Sequence, residues 1–118
     1  MDPSAWVNVA EILERCLGNR ALAARIVGRF QASVVESAEA IQRLALSADL
    51  SGVAKAAHRL RGEAANVSCE PIRAEAELVE ELARKRLHDG VMLTTDQLVR
   101  LAREFPSAAD LIPESDLP

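Results

Sequence analysis

Apolar residues recur three or four positions apart along almost the whole chain, the spacing that places side chains on one face of an α-helix. Val9, Ile12, Leu13 and Cys16 predict a short first helix, closed by Gly18-Asn19, both tolerant of positive φ. A long second helix is expected from about Arg20 to Ala48, with Leu22, Ile26, Phe30, Val34, Ile41, Leu44 and Ala48 as its buried stripe and Asp49 to Gly52 ending it. The third runs from about Ser51 to Val67, where Val53, Ala57, Leu60, Ala64 and Val67 repeat as a seam facing other helices. Ser68 to Pro71 forms a corner, with proline near a first helical turn where its missing N–H costs nothing. Ile72, Ala76, Val79 and Ala83 mark a fourth helix ending near Gly90. Thr95 or Asp96 is expected to cap a fifth, with Leu98, Leu101, Ala102 and Phe105 inward before Pro106. Residues 106–118, with Pro113 and Pro118, read as a frayed tail. Short connections make neighbours antiparallel. The expected fold is all-α, an up-down four-helix bundle with a short extra N-terminal helix, in one domain over residues 1–118 with its core at about 9–105.

Composition supports the helices: 21 Ala and 15 Leu stand against 2 Phe, 1 Trp and no Tyr among 118 residues, which excludes an all-β fold. Fourteen Lys plus Arg against 18 Asp plus Glu give a net charge of -4, a poor balance for holding phosphate backbones. Three aromatic residues cannot build a base-stacking platform, so no nucleic-acid partner is expected. No apolar run of about 18 residues is present, and Met1-Asp2-Pro3-Ser4 lacks the basic and apolar regions of a signal peptide. A cytoplasmic location without membrane contact is the expectation. Cys16 and Cys69 lack CxxC spacing and read as reduced, mostly buried thiols.

The third helix breaks the pattern at His58. With His58 at zero and about 100° per residue, Ala54 falls near about -40°, Lys55 about +60°, Arg61 about -60°, Gly62 about +40° and Ala65 about -20°. Leu60 and Ala64 lie on the far side, so His58 faces away from the core among small residues with cations on both flanks. A glycine inside a helix costs about 0.5–1 kcal/mol relative to alanine. Gly62 therefore either permits close helix packing or clears the way for a protein that must reach the imidazole. Lys55 to Arg61 carries Lys55, Arg59 and Arg61 and no acid. That is either an ordinary solvated face or a setting that favours neutral, nucleophilic imidazole and steadies the oxygens of a phosphoryl group.

The stretch Ala57-His58-Arg59-Leu60-Arg61-Gly62-Glu63-Ala64-Ala65-Asn66-Val67 resembles the signature of histidine-containing phosphotransfer (HPt) domains: an Ala-His pair, an apolar residue, Lys or Arg, then Gly and small residues. The likeness extends over roughly residues 9 to 105, taking in Leu22 to Phe30, Asp49, and Ala74 to Arg84. The resemblance implies a phosphorelay module in which His58 accepts a phosphoryl group from a phospho-aspartate on a response-regulator receiver domain, free or in a hybrid sensor histidine kinase, and passes it on. It implies a phosphocarrier rather than an enzyme. No cofactor would be bound by this chain, the receiver supplying Mg²⁺. Arg61, with Lys55, would steady the phosphoryl charge, while Ala54, Arg59, Gly62 and Ala65 would form the docking face. Glu80 and Arg84 sit where the family places polar residues near the histidine. A carboxylate there would fix the tautomer that leaves Nε2 free, although Glu80 reads equally as one of several acids, with Glu75, Glu77 and Glu81, on a solvated face.

Two departures from the family pattern stand out. Ser68-Cys69 occupies the place where glycine commonly ends the histidine helix, and Arg61 replaces the usual lysine, exchanging a point cation for a planar fork. His88, before Asp89-Gly90, is expected to complement the dipole at a helix end. His58 with Cys69 or Glu63 gives no zinc spacing, so no metal site is expected. Neither a nucleotide-binding loop nor a nucleophile elbow is present. A helical adaptor that binds a signalling partner through the same face without being phosphorylated is the alternative reading.

Overall fold

A computed structural model describes residues 2–113 as seven helices: α1 (Pro3–Trp6), α2 (Val9–Arg15), α3 (Arg20–Leu46), α4 (Leu50–Asn66), α5 (Glu70–Arg84), α6 (His88–Glu104) and α7 (Ala108–Leu111). Met1 and the expected end of the tail, including Pro118, lie outside the described residues. Helices α3 to α6 form the four-helix core, each packed on the next in chain order and α6 closing back on α3. The alanine seam Ala57, Ala64, Ala76 and Ala83 lies within it, almost without exposure. Short side chains there let α4 and α5 approach closely.

The helix ends explain where the sequence reading was displaced. Helices α2, α3, α4 and α5 each close with a residue at positive φ: Leu17 (55°), Ala48 (59°), Ser68 (55°) and Arg86 (60°). In each the following N–H reaches back to a carbonyl of the last turn, as in Gly18 to Leu13, Asp49 to Leu44, Cys69 to Ala64 and Leu87 to Leu82. That is the Schellman termination usually marked by glycine, and here all four positions hold other residues. The corner at Arg86 therefore carried no glycine signal. Helix α5 ends at Arg84 rather than near Gly90, and α6 starts at His88 rather than at Thr95 or Asp96. Gly90 lies inside α6, where a Cβ would come 3.3 Å from Leu82. Thr95 is fully buried, its hydroxyl donating to the Met92 carbonyl.

Three further corrections concern the core. The buried stripe of α3 is Ala23, Val27, Phe30, Val34, Ala38, Ile41 and Ala45: Phe30, Val34 and Ile41 fall where expected, while Ala23, Val27 and Ala45 take the places expected for Leu22, Ile26 and Leu44. Leu22 and Ala48 are exposed and Ile26 and Leu44 half-buried. Two short helices, α1 and α2, precede the bundle instead of one. Residues 106–113 are not frayed: α7 packs on α3 and α1, and Leu111 and Ile112 are buried. The physical reason is an aromatic cluster at that end. Trp6 meets Phe105 edge-on at 5.7 Å and Phe105 meets Phe30 at 5.2 Å, so all three aromatic residues of the chain join α1, α3 and the end of α6.

No helix among the described residues is long and apolar enough to cross a membrane. Cys16 and Cys69 are free and buried, and burial pushes the Cys69 thiol up to about 11, where it is unreactive. His88 opens α6 instead of closing α5. Its Nε2 lies 3.3 Å from the Ala45 carbonyl, so the terminus it complements is the last turn of α3.

Candidate functional site

Helix α4 is held firmly at both ends. Asp49 accepts a hydrogen bond from the Gly52 N–H at 2.9 Å, and a Cβ on residue 52 would stand 2.5 Å from the Asp49 carboxylate, so a side chain there would displace the capping group from its present position. At the other end Ser68 takes the left-handed backbone itself. Its hydroxyl donates to Glu11 Oε1 at 2.7 Å and accepts from Arg15, whose guanidinium also donates to the Ala65 carbonyl at 3.2 Å. The missing family glycine is thus replaced by a serine tied to α2. His58 lies midway between these fixed ends.

The His58 side chain is 57% exposed, yet its Nδ1 is not free. Glu80 of α5 places Oε2 at 2.9 Å from Nδ1, and the carboxylate is 7% exposed. A carboxylate at that distance accepts the Nδ1–H, which assigns a proton to Nδ1, so that in the neutral ring the lone pair lies on Nε2. Among the described residues Nε2 has no hydrogen-bond partner. Arg61 Nη2 lies 3.1 Å from the same Nδ1, but two donors do not bond each other, so Arg61 belongs to the carboxylate rather than to the ring.

Glu80 is an acid surrounded by cations. Arg84 donates to Oε2 through Nε and Nη2 at 3.0 and 2.7 Å, one helical turn along α5. Arg61 Nη1 stands 3.2 Å from Oε1, within ion-pair reach but without the angle of a hydrogen bond, and Oε1 is otherwise unsatisfied. Burial raises the Glu80 pKa. The Arg84 and His58 hydrogen bonds and the charges of Arg61 and His58 together outweigh it and hold the carboxyl below its ordinary value. Glu80 is accordingly an anion at neutral pH.

The remaining predicted residues fall on two sides of the ring. Arg61 and Ala54, furthest round on the negative side of the helical wheel at about -60° and about -40°, lie toward α5. Ala54 is therefore 7% exposed, against the expectation that it faces a partner, and lines a shallow recess with Ala83 and Arg84. Lys55, Arg59, Gly62 and Ala65 are exposed on the open side. A Cβ at Gly62 would meet nothing within 4 Å, so close helix packing does not explain this glycine. Sequence reasoning missed Glu77, whose Oε1 is 3.9 Å from Arg61 Nη1. It placed Glu80 and Arg84 together near the histidine but did not use their i,i+4 spacing, the pattern that pairs them with each other.

A cavity of about 430 Å³ lies between α3 and α4, where Lys55 and Arg59 form part of its lining with Ser33, Glu36 and Glu63. His58 lines none of the cavities described. Its Nε2 stands on an open surface, and a reaction there needs a second molecule to complete the site and exclude water. No group of three or more His, Cys, Asp or Glu among the described residues could hold a metal ion.

Comparison with known proteins agrees with this picture. A family model described as "Hpt domain" matches residues 25–110, most of the chain and all of α4 and α5. No curated protein and no solved structure matches. The chain belongs to the Hpt domain family, and its function is histidine phosphotransfer in a phosphorelay, as a phosphocarrier rather than a self-sufficient catalyst.

Proposed function

We propose, with Hpt membership as the premise, that His58 is the phosphoacceptor and that Nε2 is the reacting atom. The observation that carries this is the Glu80 contact to Nδ1, which leaves Nε2 free on an exposed face in the middle of a helix fixed at both ends. In-line attack by the Nε2 lone pair on the phosphorus of a phospho-aspartate forms the N–P bond as the P–O bond to the aspartate breaks. Glu80 and Arg84 orient the ring. Lys55 on the open side is placed to meet the transferred oxygens, and Arg61 does so by turning from Glu80, a movement its position one helical turn from His58 allows.

The partner is a receiver domain of a response regulator, free or in a hybrid kinase, and it brings the divalent cation. Gly62 and Ala65, with Arg59 beside them, form the docking face, where absent side chains admit the partner's loops. Ala54 takes no part, being covered by α5. Residues 1–118 act in this reading as one relay domain working in the cytoplasm.

The test is incubation with a phosphorylated receiver domain and Mg²⁺, comparing wild type with His58→Gln. Label is expected on the wild type alone. Equal labelling of both proteins would overturn the assignment.

A further inference from the structure

The contact between His58 and Glu80 bears on the charge that phosphorylation creates. Attack by Nε2 adds a phosphoryl group to a ring that still carries its Nδ1 proton. The product is an imidazolium with one more positive charge than the starting ring, and no proton has been gained or lost. In water such a ring readily sheds the Nδ1 proton. Here the proton points at a buried carboxylate 2.9 Å away.

We propose that Glu80 retains the Nδ1 proton throughout the phosphorylated lifetime of His58, so that phosphoryl groups enter and leave without any proton movement. The proposal rests on His58 being the phosphoacceptor. On entry the P–O bond breaks with its electron pair on the departing aspartate, and the new ring charge is offset by the Glu80 charge. On exit the N–P bond breaks with its pair returning to Nε2, and the ring leaves as neutral imidazole. If Nδ1 had lost its proton, the ring would have to leave as imidazolate, a far poorer leaving group. Glu80 thus acts through the ring as a positioning residue and keeps the phosphorylated form ready to transfer.

The surrounding charges permit this. From α5, Glu80 faces the ring directly, Arg84 is bonded to Glu80, and Glu77 faces Arg61. From α4 itself, Arg61 stands beside Nδ1, with Lys55 and Arg59 on the open side. Arg61 and Arg84 oppose a positive ring in the resting state. Arg61 has a reason to leave once a phosphoryl group appears, because that group offers it further oxygen acceptors. Its departure strengthens the field of Glu80 at Nδ1 in the state where the proton must be kept. The single positions of Oε2, shared by Nδ1 and Arg84, and of Oε1, facing Arg61 without a hydrogen bond, fit such a division of labour.

The experiment follows ring nitrogens by NMR in the full chain phosphorylated at His58, across pH, in the native state and unfolded in urea. The native phosphorylated ring is expected to keep its Nδ1 proton at least about one pH unit further into the alkaline range, tenfold in proton affinity. Glu80→Gln, checked for helicity by circular dichroism, is expected to remove that difference, and its transfer back to the receiver to fall off about tenfold per pH unit where wild type stays level. Equal midpoints for native and unfolded wild type would overturn the proposal without any variant. Absence of phosphate from His58 would overturn instead the assignment of the phosphoacceptor on which the proposal stands.

Discussion

The middle and the end of α4 each hold one buried polar side chain, Glu80 and Ser68, and they do so differently. At the end, Ser68, Glu11 and Arg15 bond mainly to each other and to the Ala65 carbonyl, holding α2 against a left-handed corner. In the middle, Glu80 is bonded on one side only: Arg84 and His58 share Oε2, while Oε1 has a charge nearby and no hydrogen bond. The end network serves the fold. The middle one serves a ring whose other nitrogen is left open. A polar network directed at reactivity leaves a capacity unfilled, whereas a structural one closes on itself.

The comparison predicts that the two regions separate function from stability. Gly62→Gln is expected to slow transfer from a phosphorylated receiver by at least about tenfold, equivalent to about 1.4 kcal/mol of lost docking. Its melting temperature should not fall, since the position is open and glycine is a poor helix residue. Normal transfer kinetics would remove the docking role of this face. Ser68→Ala should do the reverse: a loss of about 1 kcal/mol, read as a melting temperature lower by about 4 °C, with transfer unchanged. A transfer defect there would show that the end of α4 also positions His58.

Acid titration sharpens the contrast. Glu80 is held below its ordinary value of 4.5, so its contribution to stability is fully present above that value and is lost as pH falls through the lower folded one. Urea unfolding of wild type should show stability declining across this acid range, and Glu80→Gln a shallower decline. Identical slopes would mean that Glu80 is not held as an anion. The smallest effect is expected at Ala48, exposed and at positive φ. Ala48→Gly should gain up to about 1 kcal/mol by relieving the left-handed backbone, and a lower melting temperature would contradict the termination described for α3.

Much of this was legible in the sequence. The alanine seam, the mid-helix histidine and the small residues around it follow from spacing alone, because helical periodicity is local. What escaped depended on neighbours. Arg86 ends α5 without a glycine signal because contacts with the next helix outweigh a modest backbone cost. The tail residues Leu111 and Ile112 are buried because α7 packs on α3 and α1, elements distant in sequence. Ala54 lay at the angle the wheel gave, but the wheel could not say which side α5 would cover. Glu80 is singled out by its register in the family resemblance yet reads equally as one of several acids with Glu75, Glu77 and Glu81, and the crossing of α5 on α4 decides between the two.

The central claim is that His58 reacts through Nε2 because Nδ1 is held by Glu80. Phosphorus–nitrogen correlated NMR on protein with isotope-labelled imidazole, after phosphorylation by a receiver domain, tests it most directly. The expected result is one phosphorus resonance coupled to Nε2 of His58, stable in alkali and lost in acid. Coupling to Nδ1, or phosphorus on a carboxylate with none on the ring, would contradict the account.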